Sequence, residues 1–169
     1  TSKYEIFSKG HRNIIGLYTD KDLIIATENG PAGGDEINKI SLNKNYGWPI
    51  ASYGDKYFRE KSIDKVNYKK NHKINNFEEP IFSFIPSVGI SEIIKLPNNF
   101  ANFWQNNFLI GSLNKKILYR VKFDEKYNKI IYLEEIFIGD RIRDILYLND
   151  EKIILLSLEM SGSIGLIKK

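Results

Sequence analysis

Apolar and polar residues alternate with a period of two along most of the chain, and short apolar runs end at Asn, Gly, Asp or Pro. A strand with one buried face repeats in this way, because successive side chains point to opposite sides. The pattern predicts strands over Tyr4–Phe7, Ile15–Tyr18, Leu23–Thr27, Glu36–Ile40, Pro80–Phe84, Ile90–Leu96, Asn107–Ser112, Ile117–Phe123 and Lys129–Ile138. Three more follow at Arg143–Leu148, Lys152–Ser157 and Ile164–Lys168. Between the fourth and fifth lies a long irregular stretch, Ser41–Glu79, rich in Asn, Lys, Tyr and Gly. No capped amphipathic segment of helical length interrupts them, so the class is all-β with minor helix.

The spacing of the turns carries more than the class. Thr19-Asp20-Lys21-Asp22, Leu113-Asn114-Lys115-Lys116 and Asn149-Asp150-Glu151 are tight turn signals that join neighbours into antiparallel meanders. The strands then fall into sets of four, one from near Ile15 to Phe84 and one from near Ile90 to Ile138. A third set begins near Arg143 and has three members. Four-stranded sheets in series are the blades of a β-propeller, which closes with roughly four to eight of them. Periodicity alone also admits a β-sandwich. The incomplete third set, with Tyr4–Phe7 read as the outer strand of a further blade, favours the propeller. On this reading residues 1–169 are the C-terminal portion of a single propeller domain whose N-terminal blades are absent, and the blade faces left uncovered favour aggregation.

Composition narrows the chemistry. With 42% hydrophobic and 13% aromatic residues over 169 positions, the chain has material for a packed core. It has no Cys, which removes disulfides and thiolate chemistry, and only His11 and His72, which disfavours a multi-histidine metal site. The net charge of +4 comes mostly from Lys scattered among Asn, Asp and Glu, a solvated surface rather than a nucleic-acid face. No apolar run approaches the roughly 20 residues that span a bilayer, and Thr1–Gly10 lacks the apolar core of a signal peptide.

Four clusters could carry function. Gly10-His11-Arg12-Asn13 sits on a loop leading into a strand, where it is either a plain turn or one lip of a channel mouth. Ala26–Asn38 contains Gly30-Pro31-Ala32-Gly33-Gly34, a turn able to aim main-chain carbonyls inward. With the Glu36 carboxylate, such oxygens suit a hard cation such as Ca²⁺, though an ordinary glycine-rich hairpin fits the same residues. Asn45-Tyr46-Gly47-Trp48-Pro49, continuing to Tyr57, offers aromatics that either fill a loop or face a planar ligand. Arg141 and Arg143 stand two apart, so in a strand their guanidinium groups share a face. Two cations so placed repel unless an anion lies between them, and a ligand carboxylate or plain solvent exposure are the alternatives.

Taken in order, GHRN at Gly10–Asn13, ATENGPAGGDEIN at Ala26–Asn38, NYGWP at Asn45–Pro49, GSLNKKILYR at Gly111–Arg120 and RIRD at Arg141–Asp144 resemble one known family. It is the soluble pyrroloquinoline quinone (PQQ)-dependent sugar dehydrogenases of the aldose and glucose/sorbosone group, and the similarity to its C-terminal half covers nearly the whole chain. The resemblance implies a six-bladed propeller with PQQ over the channel mouth, oxidation of an aldose at its anomeric carbon to the lactone, and an external electron acceptor. It implies cofactor contacts from Arg12, Asn13, Tyr57, Ser112, Leu113, Asn114, Arg141, Ile142 and Arg143. It also implies Ca²⁺ on the carbonyl oxygens of Gly30 and Pro31, with Glu36 and Tyr46 at positions associated with calcium in the aldose branch.

The family's catalytic histidine belongs to the N-terminal blades and has no counterpart here, so the chain alone is expected to be inactive. His11 is part of the GHRN motif and is not assigned as the base. Ile14-Ile15 stand where the family has Pro-Gln, and Asn114 stands where a basic residue is usual. These departures leave open a degenerate propeller that serves as a ligand-binding or interaction module, and a calcium lactonase is a further alternative. Family members work in the periplasm or outside the cell, which sets the expected location.

Overall fold

The structure, a computed structural model, describes residues 3–63 and 66–168. It is nearly all β. The strands are β1 (Ile14–Asp20), β2 (Leu23–Glu28), β3 (Asp35–Lys39), β4 (Phe82–Phe84), β5 (Ile90–Lys95), β6 (Phe108–Ser112), β7 (Ile117–Phe123), β8 (Ile130–Phe137), β9 (Ile142–Leu148), β10 (Ile153–Leu158) and β11 (Ser163–Lys168). One short helix, α1 (Phe58–Ile63), and two single 3₁₀ turns lie in the connections. None is long and apolar enough to cross a membrane.

Three antiparallel sheets follow the chain, β1-β2-β3-β4, then β5-β6-β7-β8, then β9-β10-β11. The first strands of the sheets, β1, β5 and β9, lie side by side as the inner strands of successive propeller blades do. The predicted sets of four, four and three are therefore the sheets that form. The twelfth expected strand does not form. Residues 3–7 are exposed and make no ladder, and the carbonyl of Phe7 accepts a single main-chain bond, from Asn43 N at 2.7 Å. Alternation had marked Tyr4–Phe7 as a strand, but a strand exists only where a neighbour offers matching donors and acceptors.

Period-two alternation on the middle sheet builds both interfaces. Phe108 and Ile110 of β6, with Tyr119, Val121 and Phe123 of β7, face Ile25 and Ile37 of the first sheet. Leu109 and Leu118, pointing the other way, pack against Ile142, Ile145, Ile154 and Leu156 of the third. Every residue of β6 is buried, as a strand sandwiched on both faces requires. Glycine permits close approach between neighbouring sheets, Gly16 of β1 against β5 and Gly111 of β6 against β9. A Cβ on Gly16 would lie 2.7 Å from Ile93 N, and one on Gly111 would lie 2.9 Å from Ile142 Cγ2. Hydroxyls bridge the same seams, Thr27 Oγ1 donating to Ser91 O and Ser91 Oγ donating to Ile142 O at 2.6 Å.

The third sheet keeps one face open, where Leu146 and Leu166 flank Leu155 in register as an apolar row. The far face of the first sheet, carrying Ala26, Glu28, Glu36 and Asn38, is instead covered by the excursion between β3 and β4.

One carboxylate ties the first two blades together at the rim. Asp35, fully buried at the start of β3, accepts hydrogen bonds from Val88 N, Gly89 N and Ile90 N at 2.9, 2.7 and 3.1 Å, and from Ser87 Oγ at 2.8 Å. Its other oxygen takes Gly30 N at 3.0 Å. Replacing Asp35 by Ala leaves these donors buried without an acceptor and should cost about 3–5 kcal/mol in urea unfolding, with Asp35→Asn costing less because the amide oxygen still accepts.

Candidate functional site

The rim next to Asp35 is assembled from turns that are distant in sequence. Gly10–Asn13 precede β1, and two of the recognised motifs clasp there: Tyr46 N donates to Lys9 O and Trp48 N donates to Gly10 O, each at 2.9 Å. Glu28, at the end of β2, orders this loop from below. Its carboxylate accepts from Arg12 N, from Asn13 N at 3.3 Å and from His11 Nδ1 at 3.2 Å. The other His11 nitrogen meets Ser8 Oγ at 2.9 Å and the ring stacks on Tyr46, so His11 serves the loop.

Arg12 is thereby held with its guanidinium over the Trp48 ring, 5.3 Å from the centroid, and with Nη1 donating to Asn29 O at 2.9 Å. Asn29 links onward to the second blade through Nδ2 and Ile90 O at 2.9 Å. An open cleft of about 440 Å³, within the range of small-ligand sites, results. Arg12, Asn13, Gly30, Pro31, Tyr57 and Asn114 all line it. Six of the residues singled out by sequence thus share one cleft although 102 positions separate Arg12 from Asn114.

The remaining candidates continue the same rim by linked turns. Asn114 N donates to Val88 O at 3.0 Å, and Gly139 N donates to Lys116 O at 3.1 Å, which carries the rim to Arg141. Ser112 turns away: its hydroxyl donates to Ile117 O and accepts from Ile117 N, closing its own hairpin. The Leu113 and Ile142 side chains are buried, so any ligand contact from these three would be made by main chain. Arg141 and Arg143 do share a side, and the anion between them comes from the protein. Glu159 Oε2 lies 3.1 Å from Arg141 Nε and 2.5 Å from Arg143 Nε.

Gly30 and Pro31 also line a second, much smaller cavity of about 10 Å³, room for one water-sized occupant. Glu28, Glu36, Tyr46 and Ser52 line it together with Gly30 and Pro31, so all four expected cation-site residues meet there. The Tyr46 hydroxyl is committed elsewhere, donating to Lys39 O at 2.7 Å and accepting from Ser41 N, which leaves only its main chain for a cation. Two carboxylates on one small cavity are electrostatically suited to a hard cation. Burial pushes the Glu36 carboxyl up to about 8, with the Asn38 hydrogen bond opposing and the Glu28 charge adding. Burial also drives the neighbouring His72 below its ordinary value, so it supplies no compensating charge although its Nε2 is 3.6 Å from Glu36. The buried Asn38 Oδ1 and His72 Nδ1 have no hydrogen-bond partner among the described residues.

Sequence reasoning named neither Glu28, Asp35 nor Glu159, although the first two lie inside the quoted Ala26–Asn38 motif. Their acidic identity at strand ends was visible, but the amides that they bind were not.

The raised Glu36 value has a sign. An acid whose folded pKa exceeds its unfolded value favours the fold fully below the unfolded value of about 4.5, and that contribution is lost as pH rises toward 8. In EDTA, Glu36→Gln should therefore unfold at a higher temperature than the parent near pH 8.5, by the equivalent of about 5 kcal/mol at most, and at nearly the same temperature near pH 4. Calcium should raise the parent melting temperature alone.

A family model described as glucose/sorbosone dehydrogenase matches residues 1–167. The aldose sugar dehydrogenase of Escherichia coli is 32% identical over 167 residues, covering 96% of this chain and 43% of that protein. Quinoprotein glucose dehydrogenase B of Acinetobacter calcoaceticus is 23% identical over 94% of this chain and 44% of its own length. A crystal structure of glucose dehydrogenase superposes with a TM-score of 0.82 at 30% identity, over 96% of this chain and 46% of that one. The chain spans less than half the length of the curated relatives that it matches. It belongs to the glucose/sorbosone dehydrogenase family.

Proposed function

We propose that the chain supplies the cofactor-holding rim of a PQQ- and calcium-dependent sugar dehydrogenase that oxidises an aldose at its anomeric carbon to the lactone. The observation that carries this reading is the convergence of Arg12, Asn13, Gly30, Pro31, Tyr57 and Asn114 on one cleft. PQQ is planar and bears three carboxylates, and the cleft with its neighbouring rim offers three arginines and two side-chain amides for such a ligand. Bound there, it would supply the hydride acceptor.

The residues of the chain bind and orient. Arg12, braced by Trp48 and Asn29, presents a fixed cation to a carboxylate. Asn13 and Asn114 offer neutral amide hydrogen bonds, and the Tyr57 ring walls the cleft. The Gly30 and Pro31 carbonyls, with Glu36 and the Tyr46 main chain, are the candidate calcium ligands. Neither histidine lines the cleft, so the general base comes from outside this chain, in the blades that complete the ring. On the same reading the chain alone does not turn over, electrons leave to an external acceptor, and the protein works in the periplasm or outside the cell.

Titration with PQQ in calcium, read by quenching of tryptophan fluorescence, tests the proposal. Arg12→Ala should weaken binding by about tenfold or more, the loss of one charge-assisted hydrogen bond, and EDTA should weaken it as well. Binding indifferent to both changes would instead mark a propeller whose site has become a general ligand or interaction surface.

A further inference from the structure

We infer that Glu159 is the positioning residue for Arg141 and Arg143, fixing both guanidinium groups toward a single anionic ligand. Two like charges on one face would otherwise swing apart, since each has long, rotatable side-chain bonds. Glu159 prevents this with one oxygen: Oε2 receives Nε of Arg141 at 3.1 Å and Nε of Arg143 at 2.5 Å. Engagement through Nε leaves the paired Nη groups at the end of each planar fork. Among the described residues no acceptor takes those Nη groups.

Glu159 is itself held in place. Its backbone N donates to Arg141 O at 2.9 Å, pairing the end of β10 with the residue before β9. Asp140 secures the same turn, accepting from Arg141 N at 2.6 Å and Met160 N at 2.8 Å on one oxygen and from Ser161 N at 3.0 Å on the other. The turn after β10 is therefore fastened to the segment before β9 at Glu159 and at the two residues that follow it. Two guanidinium charges and one carboxylate leave a net positive charge on this stretch of the rim. This arrangement attracts a carboxylate ligand without letting the arginines repel one another.

The inference rests on the quinone-site reading, and its test separates the two. PQQ binding is measured by equilibrium dialysis in calcium for the parent chain, Glu159→Ala, Glu159→Asp and Glu159→Gln, with apo melting curves for each. In parallel, ¹⁵N spectra follow the Arg141 and Arg143 Nε–H signals without ligand. Glu159→Ala and the shortened Glu159→Asp should bind PQQ at least tenfold more weakly and lose the protected Nε–H signals. Glu159→Gln, whose amide oxygen still accepts, should restore both, a rescue that a merely structural loss does not give.

Glu159→Asp keeps the test decisive should Glu159→Ala fail to fold. Parent binding with unchanged affinity in Glu159→Ala and Glu159→Asp would overturn the inference alone. Tighter binding in both Glu159→Ala and Glu159→Gln would overturn it too, since the carboxylate would then be a competitor for the ligand's place. Failure of the parent chain to bind PQQ would overturn the quinone reading, and with it the ligand assigned here.

Discussion

The site depends on a single buried carboxylate. Asp35 gathers amide and hydroxyl donors from the loop that opens β5 and one amide from the glycine-rich turn, and these segments belong to different sheets. A buried charge persists only when its acceptor capacity is filled, so the geometry of both segments is dictated by its need for donors. Once Gly30 and the Ser87–Ile90 turn are pinned to one point, the cleft between them has a defined width. The turns beyond, through Asn114 and Lys116 to Arg141, inherit their positions from that anchor.

Two further carboxylates repeat the device at smaller scale. Glu28 orders the loop that carries Arg12, and Glu159 orders the arginine pair of the third sheet. In each case an acid decides where a basic group points. Cations thus line the rim while acids lie behind them, an arrangement that preorganises the positive groups rather than leaving their alignment to the ligand.

The strands and their grouping were legible because alternation is a local signal. Phe108, Ile110 and Leu109 advertise a strand buried on both faces, and the short polar turns dictate antiparallel neighbours. Tyr4–Phe7 shows the limit of the same signal, since its alternation is genuine but a ladder also requires a partner. The arginine and asparagine positions of the cleft were legible through motif order, and the shared face of Arg141 and Arg143 through strand period. Asp35 and Glu159 were not, because their roles are defined by partners far along the chain: Asp35 by residues more than 50 positions away, Glu159 by Arg141 across a strand turn. Ser112 is a different case: its hydroxyl is spent on closing its own hairpin, a commitment set by the local turn that motif order does not reveal.

Gly30 and Pro31 line both the open cleft and the small chamber that Glu28 and Glu36 share, so the two spaces have a length of wall in common. Whatever settles in either compartment presses on the same short piece of backbone. Tenancy of the chamber and tenancy of the cleft are for that reason thermodynamically joined, and each favours the shape of the shared wall that suits the other.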